Sequence, residues 1–167
     1  HPSRFVVNGV IFSSAEQYMM YQKALLFSGK NVAEKILSEN KAHKILADFL
    51  NGEISTNDIF SNKKLRKDWS AIQKKIKNFG REVKGYSESV WLENRERIIL
   101  EGNLAKFLQN KNLQNILLSK KEKIFVEASP DDKVYGIGLS EEDPRAKDPS
   151  RWLGLNLLGK TLNKVAD

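Results

Sequence analysis

The sequence predicts an α+β fold, a predominantly helical single domain with a small antiparallel sheet. Three observations carry that prediction. Two short apolar runs, Phe5-Val6-Val7 and Val10-Ile11-Phe12, flank an Asn8-Gly9 pair near the start. Much of the interior places apolar residues at helical spacing, as at Trp69, Ile72, Ile76 and Phe79. Two further short apolar runs, 124–126 and 134–139, supply the remaining strand candidates. A chain of 167 residues suits one compact domain, 1–167, with a core that needs no staples.

The elements follow in chain order. Asn-Gly supplies the positive φ angles of a two-residue hairpin turn, so 5–12 is expected to form a β-hairpin. Ser13 or Ser14 can cap the next helix, with Glu16 or Gln17 completing a capping box. That helix is expected to run through Tyr18, Met19, Ala24 and Phe27 to a stop at Ser28-Gly29. Short helices are expected over about 32–37 and 42–50. Residues from about 52 to 67 are polar and turn-rich, and are expected to form a surface excursion containing at most a short helix. Helices are then expected over 69–79, from Ser87 or Glu88 to at least Gly102, over 113–118 and over 156–165. Ile124-Phe125-Val126 and Val134–Leu139 are expected as strands, the second loosened by Gly136 and Gly138.

Composition bounds the function. The chain has no cysteine, which excludes disulfides and thiolate metal sites. No apolar run approaches the roughly 20 residues that cross a bilayer. His1-Pro2-Ser3-Arg4 lacks a leader pattern, and a cytoplasmic location with no membrane partner is expected. The chain begins without methionine, as a truncated or processed piece would. Net charge is +7, concentrated in Lys63, Lys64, Arg66, Lys67, Lys74, Lys75 and Lys77 and again in Lys120, Lys121 and Lys123. Such runs are either solvated helix faces or partners for phosphate-rich ligands. His1 and His43 stand apart, so neither a metal nor another cofactor is expected.

Four residues stand out as acid, base or amine candidates. Glu16 opens the first helix, and Lys23 lies two turns further on the same face. Glu127 ends an expected strand, and Asp132 follows Ser129-Pro130. Each also has a structural role open to it: Glu16 in the capping box, Lys23 as a surface lysine, Glu127 as an arginine partner and Asp132 as a turn residue. Trp91 and Trp152 are expected as core aromatics.

Several stretches, in this order, together carry a family resemblance. They include Phe5–Val10, Ala15-Glu16-Gln17-Tyr18-Met19-Met20-Tyr21-Gln22-Lys23-Ala24, Gly80-Arg81-Glu82-Val83 and Trp91 with Arg95. Gly102-Asn103 with Lys106-Phe107, Val126–Pro130 with Asp132, Tyr135–Leu139 and Trp152–Gly154 with Asn156–Gly159 continue the order. In these stretches the chain resembles the NADAR (NAD- and ADP-ribose-associated), or YbiA-like, family, and the resemblance spans nearly its whole length. It implies an N-glycosidase that acts on early riboflavin-pathway ribosides or removes ADP-ribose from modified guanine in nucleic acid. It implies catalytic roles for Glu16, Lys23 and Asp132, with Trp91 also in the active site. Asn103, Glu127, Gly136, Gly138 and Asn156 are implied to shape the pocket. Gln17 and Tyr135 depart from the family's usual histidine and tryptophan, and 42–75 is expected to be a family-atypical insertion.

Those residue types suit such a reaction. Breaking an N-riboside develops positive charge at the anomeric carbon and negative charge on the departing base. A carboxylate can stabilise the first or activate water, and a protonated acid can donate to the leaving nitrogen. Asp132 or Glu16 fits the carboxylate role, Trp91 could stack on the base, and a neutral Lys23 could instead form a Schiff base. Expected partners are an ADP-ribose-containing or phosphorylated riboside, with nucleic acid carrying ADP-ribosylated guanine favoured slightly by the charge. A non-catalytic binding module for ADP-ribose or nucleic acid is the competing class.

Overall fold

The computed structural model describes residues 1–27 and 29–167. Among them are two strands, β1 (Phe5–Val7) and β2 (Val10–Phe12), and eight α-helices. The helices are α1 (Ala15–Phe27), α2 (Lys30–Ala42), α3 (Lys44–Asn51), α4 (Thr56–Ser61), α5 (Lys63–Arg81), α6 (Glu88–Gln109), α7 (Lys111–Leu118) and α8 (Leu157–Ala166). The strands pair antiparallel, Phe5 opposite Phe12, with Asn8 at φ 49° and Gly9 at φ 77° in the turn. This is the α+β arrangement that the sequence predicts. No helix among the described residues is long and apolar enough to cross a membrane.

Helix α1 is the organising element and packs against α2, α5 and α6. Ser14 caps it by accepting the Gln17 N–H at 3.1 Å. Gln17, not Glu16, completes the cap: its Oε1 accepts from both the N–H and the hydroxyl of Ser13, each at 2.9 Å. Its Nε2 donates to Ile36 O and Asn40 Oδ1 on α2. Gln17 is therefore a fully buried structural bolt with both ends satisfied. The expected stop at Ser28-Gly29 falls partly outside the described residues, at Ser28. Gly29 has φ 77°, and its N–H reaches Ala24 O at 3.0 Å.

The core joins Phe5 and Phe12 of the hairpin to Tyr18, with Phe12 edge-on to Tyr18 at 5.1 Å between centroids. Trp69, Ile72, Ile76 and Phe79 bury the inner face of α5, as their spacing predicts. Helix α5 nevertheless starts well before Trp69, because Asn62 accepts the N–H groups of Lys64 and Leu65 and so caps it. The 52–67 stretch is accordingly largely helical, and α4 begins with a complete Ser55–Asp58 capping box.

Close approach of α1 to α6 depends on Gly102, where a Cβ would run into the Tyr18 ring. Gly102→Ala gains up to about 1 kcal/mol of helix propensity, but overpacking costs about 1–3 kcal/mol. We expect net destabilisation, seen as a lower Tm in a thermal melt; an unchanged or higher Tm would show that Tyr18 yields freely.

Residues 119–156 join α7 to α8, and here the structure departs from expectation. Neither 124–126 nor 134–139 is a strand. Their backbone groups are met by side-chain amides and turns instead of a ladder. Asn163 accepts from Phe125 N and donates to Lys123 O. Asn156 accepts from Glu127 N and donates to Phe125 O. Ile137 N donates to Glu127 O, and Leu153 N donates to Ile137 O.

Candidate active site

The C-terminal half of α5, α1 from Ala15 to Lys23, α6 from Glu88 to Lys106 and the 127–135 loop line two adjoining cavities, of about 570 and 360 Å³. Met19, Lys77, Glu127, Asp132 and Tyr135 line both. The larger adds Lys23, Arg81, Tyr86, Trp91 and Arg95; the smaller adds Glu16, Asn103 and Lys106. The three expected catalytic residues thus converge on one cleft, with Asp132 at the junction.

Because Gln17 takes the capping role, Glu16 has no structural task in the helix cap. Its Oε1 is buried without a hydrogen-bond partner among the described residues. Burial raises the carboxyl above its ordinary range; Lys77, the N-terminal amine and Arg81 pull it down, while nearby Asp132 pushes it further up. Such an acid is disposed to hold a proton.

Lys23 is half-buried, with its ammonium 4.8 Å from the centre of the Tyr86 ring and 5.5 Å from that of Trp91. Burial lowers its pKa, Arg81 adds to the effect, and Glu16 opposes it. Lys106, on the wall of the smaller cavity, is brought down to about 8 by burial.

Asp132 is both a turn residue and a cleft residue. Its Oδ1 accepts the N–H groups of Val134 at 3.0 Å and Tyr135 at 2.8 Å, which fixes the carboxylate at the cleft wall. Burial pushes the Tyr135 hydroxyl up to about 12, opposed by a hydrogen bond from the Trp91 indole. Trp91 is buried, as a core aromatic would be, yet it also faces the larger cavity. Trp152 instead ties down the loop, donating to Ala146 O at 2.9 Å.

The remaining expected residues divide by position. Asn103 and Glu127 line the cleft; Glu127 is exposed and makes no ion pair with an arginine among the described residues. Gly136, Gly138 and Asn156 line neither cavity. A Cβ on Gly136 would meet the carbonyls of Asp132 and Glu127, each at 2.8 Å, so a side chain there would push the acidic loop outward. Gly138 adopts φ 69°, and Asn156, at φ 52°, pins 125–127 through its amide. Asn156 is thus a scaffold residue.

The structure adds cations that the candidate set lacked. Lys77 and Arg81 enter from α5, and Arg95 enters from α6, one turn after Trp91. The Nε of Arg95 is buried and has no hydrogen-bond partner among the described residues. The sequence signal for these residues lay in Gly80-Arg81 and in the Trp91–Arg95 spacing. Only the packing of α5 and α6 on α1 reveals that they share a cleft.

A helix-rich α+β protein whose cleft gathers carboxyls, lysines, arginines and aromatic rings has the equipment of a glycoside hydrolase. The chain belongs to the NADAR family, whose domain model matches residues 1–167. It is 36% identical over 164 residues to N-glycosidase R617 of Acanthamoeba polyphaga mimivirus, covering 96% of this chain and 78% of the viral protein. It is 31% identical to Protein irg-1 of Caenorhabditis elegans, covering 93% of this chain and 60% of that one. N-glycosidase Npun_R5314 of Nostoc punctiforme is 27% identical over 107 residues, 64% of this chain and 47% of its own length. The chain therefore spans less than two thirds of the latter two relatives.

Proposed function

We propose that this chain is an N-glycosidase that releases a ribose or ADP-ribose unit from a nitrogenous base, and that its substrate is ADP-ribosylated guanine in nucleic acid. N-glycosidase activity is supported by NADAR membership and by the two relatives that bear that name. The observation that carries the site is the meeting of Glu16, Lys23 and Asp132 around two cavities that share Asp132. The larger compartment, with Trp91, Tyr86, Arg81 and Arg95, suits a planar base and a phosphate.

The two carboxyls take different roles because their surroundings differ. Asp132, held by two backbone N–H groups, presents charge to the anomeric carbon or orients water toward it. Glu16, with its carboxyl raised by burial, donates a proton to the leaving nitrogen. Water supplies the hydroxyl of the freed sugar, and Glu16 recovers its proton from that water.

Lys23 supports a second route, since its lowered pKa enlarges the neutral fraction. The amine would attack the ring-opened anomeric carbon, expel the base and leave a Schiff base for water to cleave. Borohydride added during turnover distinguishes the routes. A reduced sugar adduct mapped to Lys23 establishes the covalent one. Steady turnover without any adduct, together with residual activity in Lys23→Arg, rejects it.

The founding test is product analysis after incubation with an oligonucleotide carrying ADP-ribosylated guanine. Release of ADP-ribose by the parent protein supports the substrate assignment. No release there, but cleavage of a free riboflavin-pathway ribosylamine, moves the substrate to that class. Stoichiometric binding without release of any base would make the chain a binding module.

A further inference from the structure

The outward face of α5 carries charge in a pattern that the cleft alone does not explain. Lys63, Lys67, Ser70, Lys74, Lys77 and Arg81 recur every three or four residues. At 3.6 residues per turn they fall within an arc of about 80°, opposite the buried Trp69, Ile72, Ile76 and Phe79. The result is a single row of five cations about 27 Å long at 1.5 Å per residue. Its last two members, Lys77 and Arg81, line the larger cavity.

On one flank of α5 the lysines are paired locally, while Arg66, in no ion pair among the described residues, borders the row on the other. Lys64 pairs with Asp68 at 3.5 Å, and Lys75 pairs with the buried Glu39 at 3.0 Å. Among the described residues, none of the five cations in the row makes an ion pair. Asp68 is the one acid in α5, and it lies on the paired flank. Lys63, Lys67 and Lys74 are exposed. The row thus keeps its charge available over a length matching about eight base steps at 3.4 Å each.

We infer that the outward row of α5 is a docking track for a nucleic-acid strand, running along the helix and delivering one nucleotide to the cleft at Lys77 and Arg81. A strand fits the row better than a membrane does. The charges form a line, and that line ends in a concavity walled by Trp91, Tyr86 and Tyr135, which accepts a single base. A membrane would call for apolar residues beside the cations, and α5 buries its apolar residues in the core. The inference deepens the proposed function by naming the surface that holds the substrate's carrier. It rests on that function for what is delivered, but not for the binding itself.

The test is binding of an unmodified single-stranded oligonucleotide to the full chain, followed by fluorescence anisotropy across a salt series. Binding, not cleavage, is read, so failure of the glycosidase assignment leaves the result intact. For five phosphate contacts the plot of log K against log salt should have a slope of about −3.5, at −0.7 per contact for a single strand. The triple variant Lys63→Gln/Lys67→Gln/Lys74→Gln should make the slope shallower by about 2 and weaken binding at least about tenfold at low salt. The comparison variant Lys120→Gln/Lys121→Gln/Lys123→Gln removes the same charge elsewhere and should leave both nearly unchanged. Equal weakening by the two triples overturns the track in favour of diffuse charge attraction. No effect of the α5 triple in a protein of unchanged helicity, or no binding by the parent, also overturns it. Binding of the parent to phosphatidylserine vesicles but not to the oligonucleotide, lost in the α5 triple, assigns the row to a membrane surface instead.

Discussion

Asp132→Asn should lower kcat/KM for base release by about 10²- to 10⁴-fold, the usual worth of a positioned acid or base, while leaving Tm nearly unchanged. The asymmetry follows from the two jobs of this carboxylate. Its Oδ1 holds the Val134 and Tyr135 N–H groups, and an asparagine Oδ1 can accept the same two bonds. What asparagine cannot supply is the negative charge at the junction of the two cavities. Asp132→Ala removes both functions, so it should lose activity and also some stability, by about 1 kcal/mol for two partly solvated N–H groups left without their acceptor. Comparing the two variants separates chemistry from turn formation. If Asp132→Asn keeps kcat/KM within about threefold of the parent, far short of the loss expected for a positioned group, Asp132 is a turn residue alone.

How much of this site could be seen in the sequence depends on whether the information was local. The Asn8-Gly9 hairpin and the inner face of α5 were legible because a turn type and a 3.6-residue period are written in adjacent residues. Glu16 and Lys23 were legible as neighbours, since seven residues along a helix return a side chain to nearly the same face. The start of α5 was not, because its first turns are charged throughout and the cap at Asn62 follows a polar stretch. The false strands at 124–126 and 134–139 have a different cause. Phe125, Ile137 and Leu139 do pack, while Ile124 and Val126 stay exposed; Asn156 and Asn163 meet the backbone of 123–127, more than 25 residues away in sequence, and 134–139 is held by backbone bonds to Glu127, Asp132 and Leu153. No windowed pattern shows that a distant amide will replace a neighbouring strand. Asp132 and Glu127 stood out as acids beside a turn and at the end of an apolar run, whereas Asn103 entered only through family resemblance. Lys77 and Arg81 needed the packing of α5 beside α1 to come into view.

The same packing sets Glu16 at odds with the stability of its own fold. Burial raises its pKa in the folded protein, so the folded state holds that proton more tightly than the unfolded chain does. Its favourable contribution is complete below the unfolded pKa of about 4.3 and is lost as pH rises through the higher folded value. Above the unfolded pKa, folding must either take up a proton at Glu16 or bury its charge beside an Oε1 that has no hydrogen-bond partner among the described residues, and the protein carries that cost. Glu16→Gln removes that cost without changing the shape of the side chain. We therefore expect a variant whose Tm equals the parent's near pH 4 and exceeds it increasingly towards neutrality. Its base-release rate should fall by about 10²- to 10⁴-fold, as for loss of a general acid. The parent's rate should decline on the alkaline side as Glu16 gives up its proton, and the variant's residual rate should lack that decline. Tm curves for parent and variant that run parallel at every pH would show that Glu16 is solvated in the folded state. Its role as proton donor would fall with that result, because an acid with an ordinary pKa has no proton to give at neutral pH.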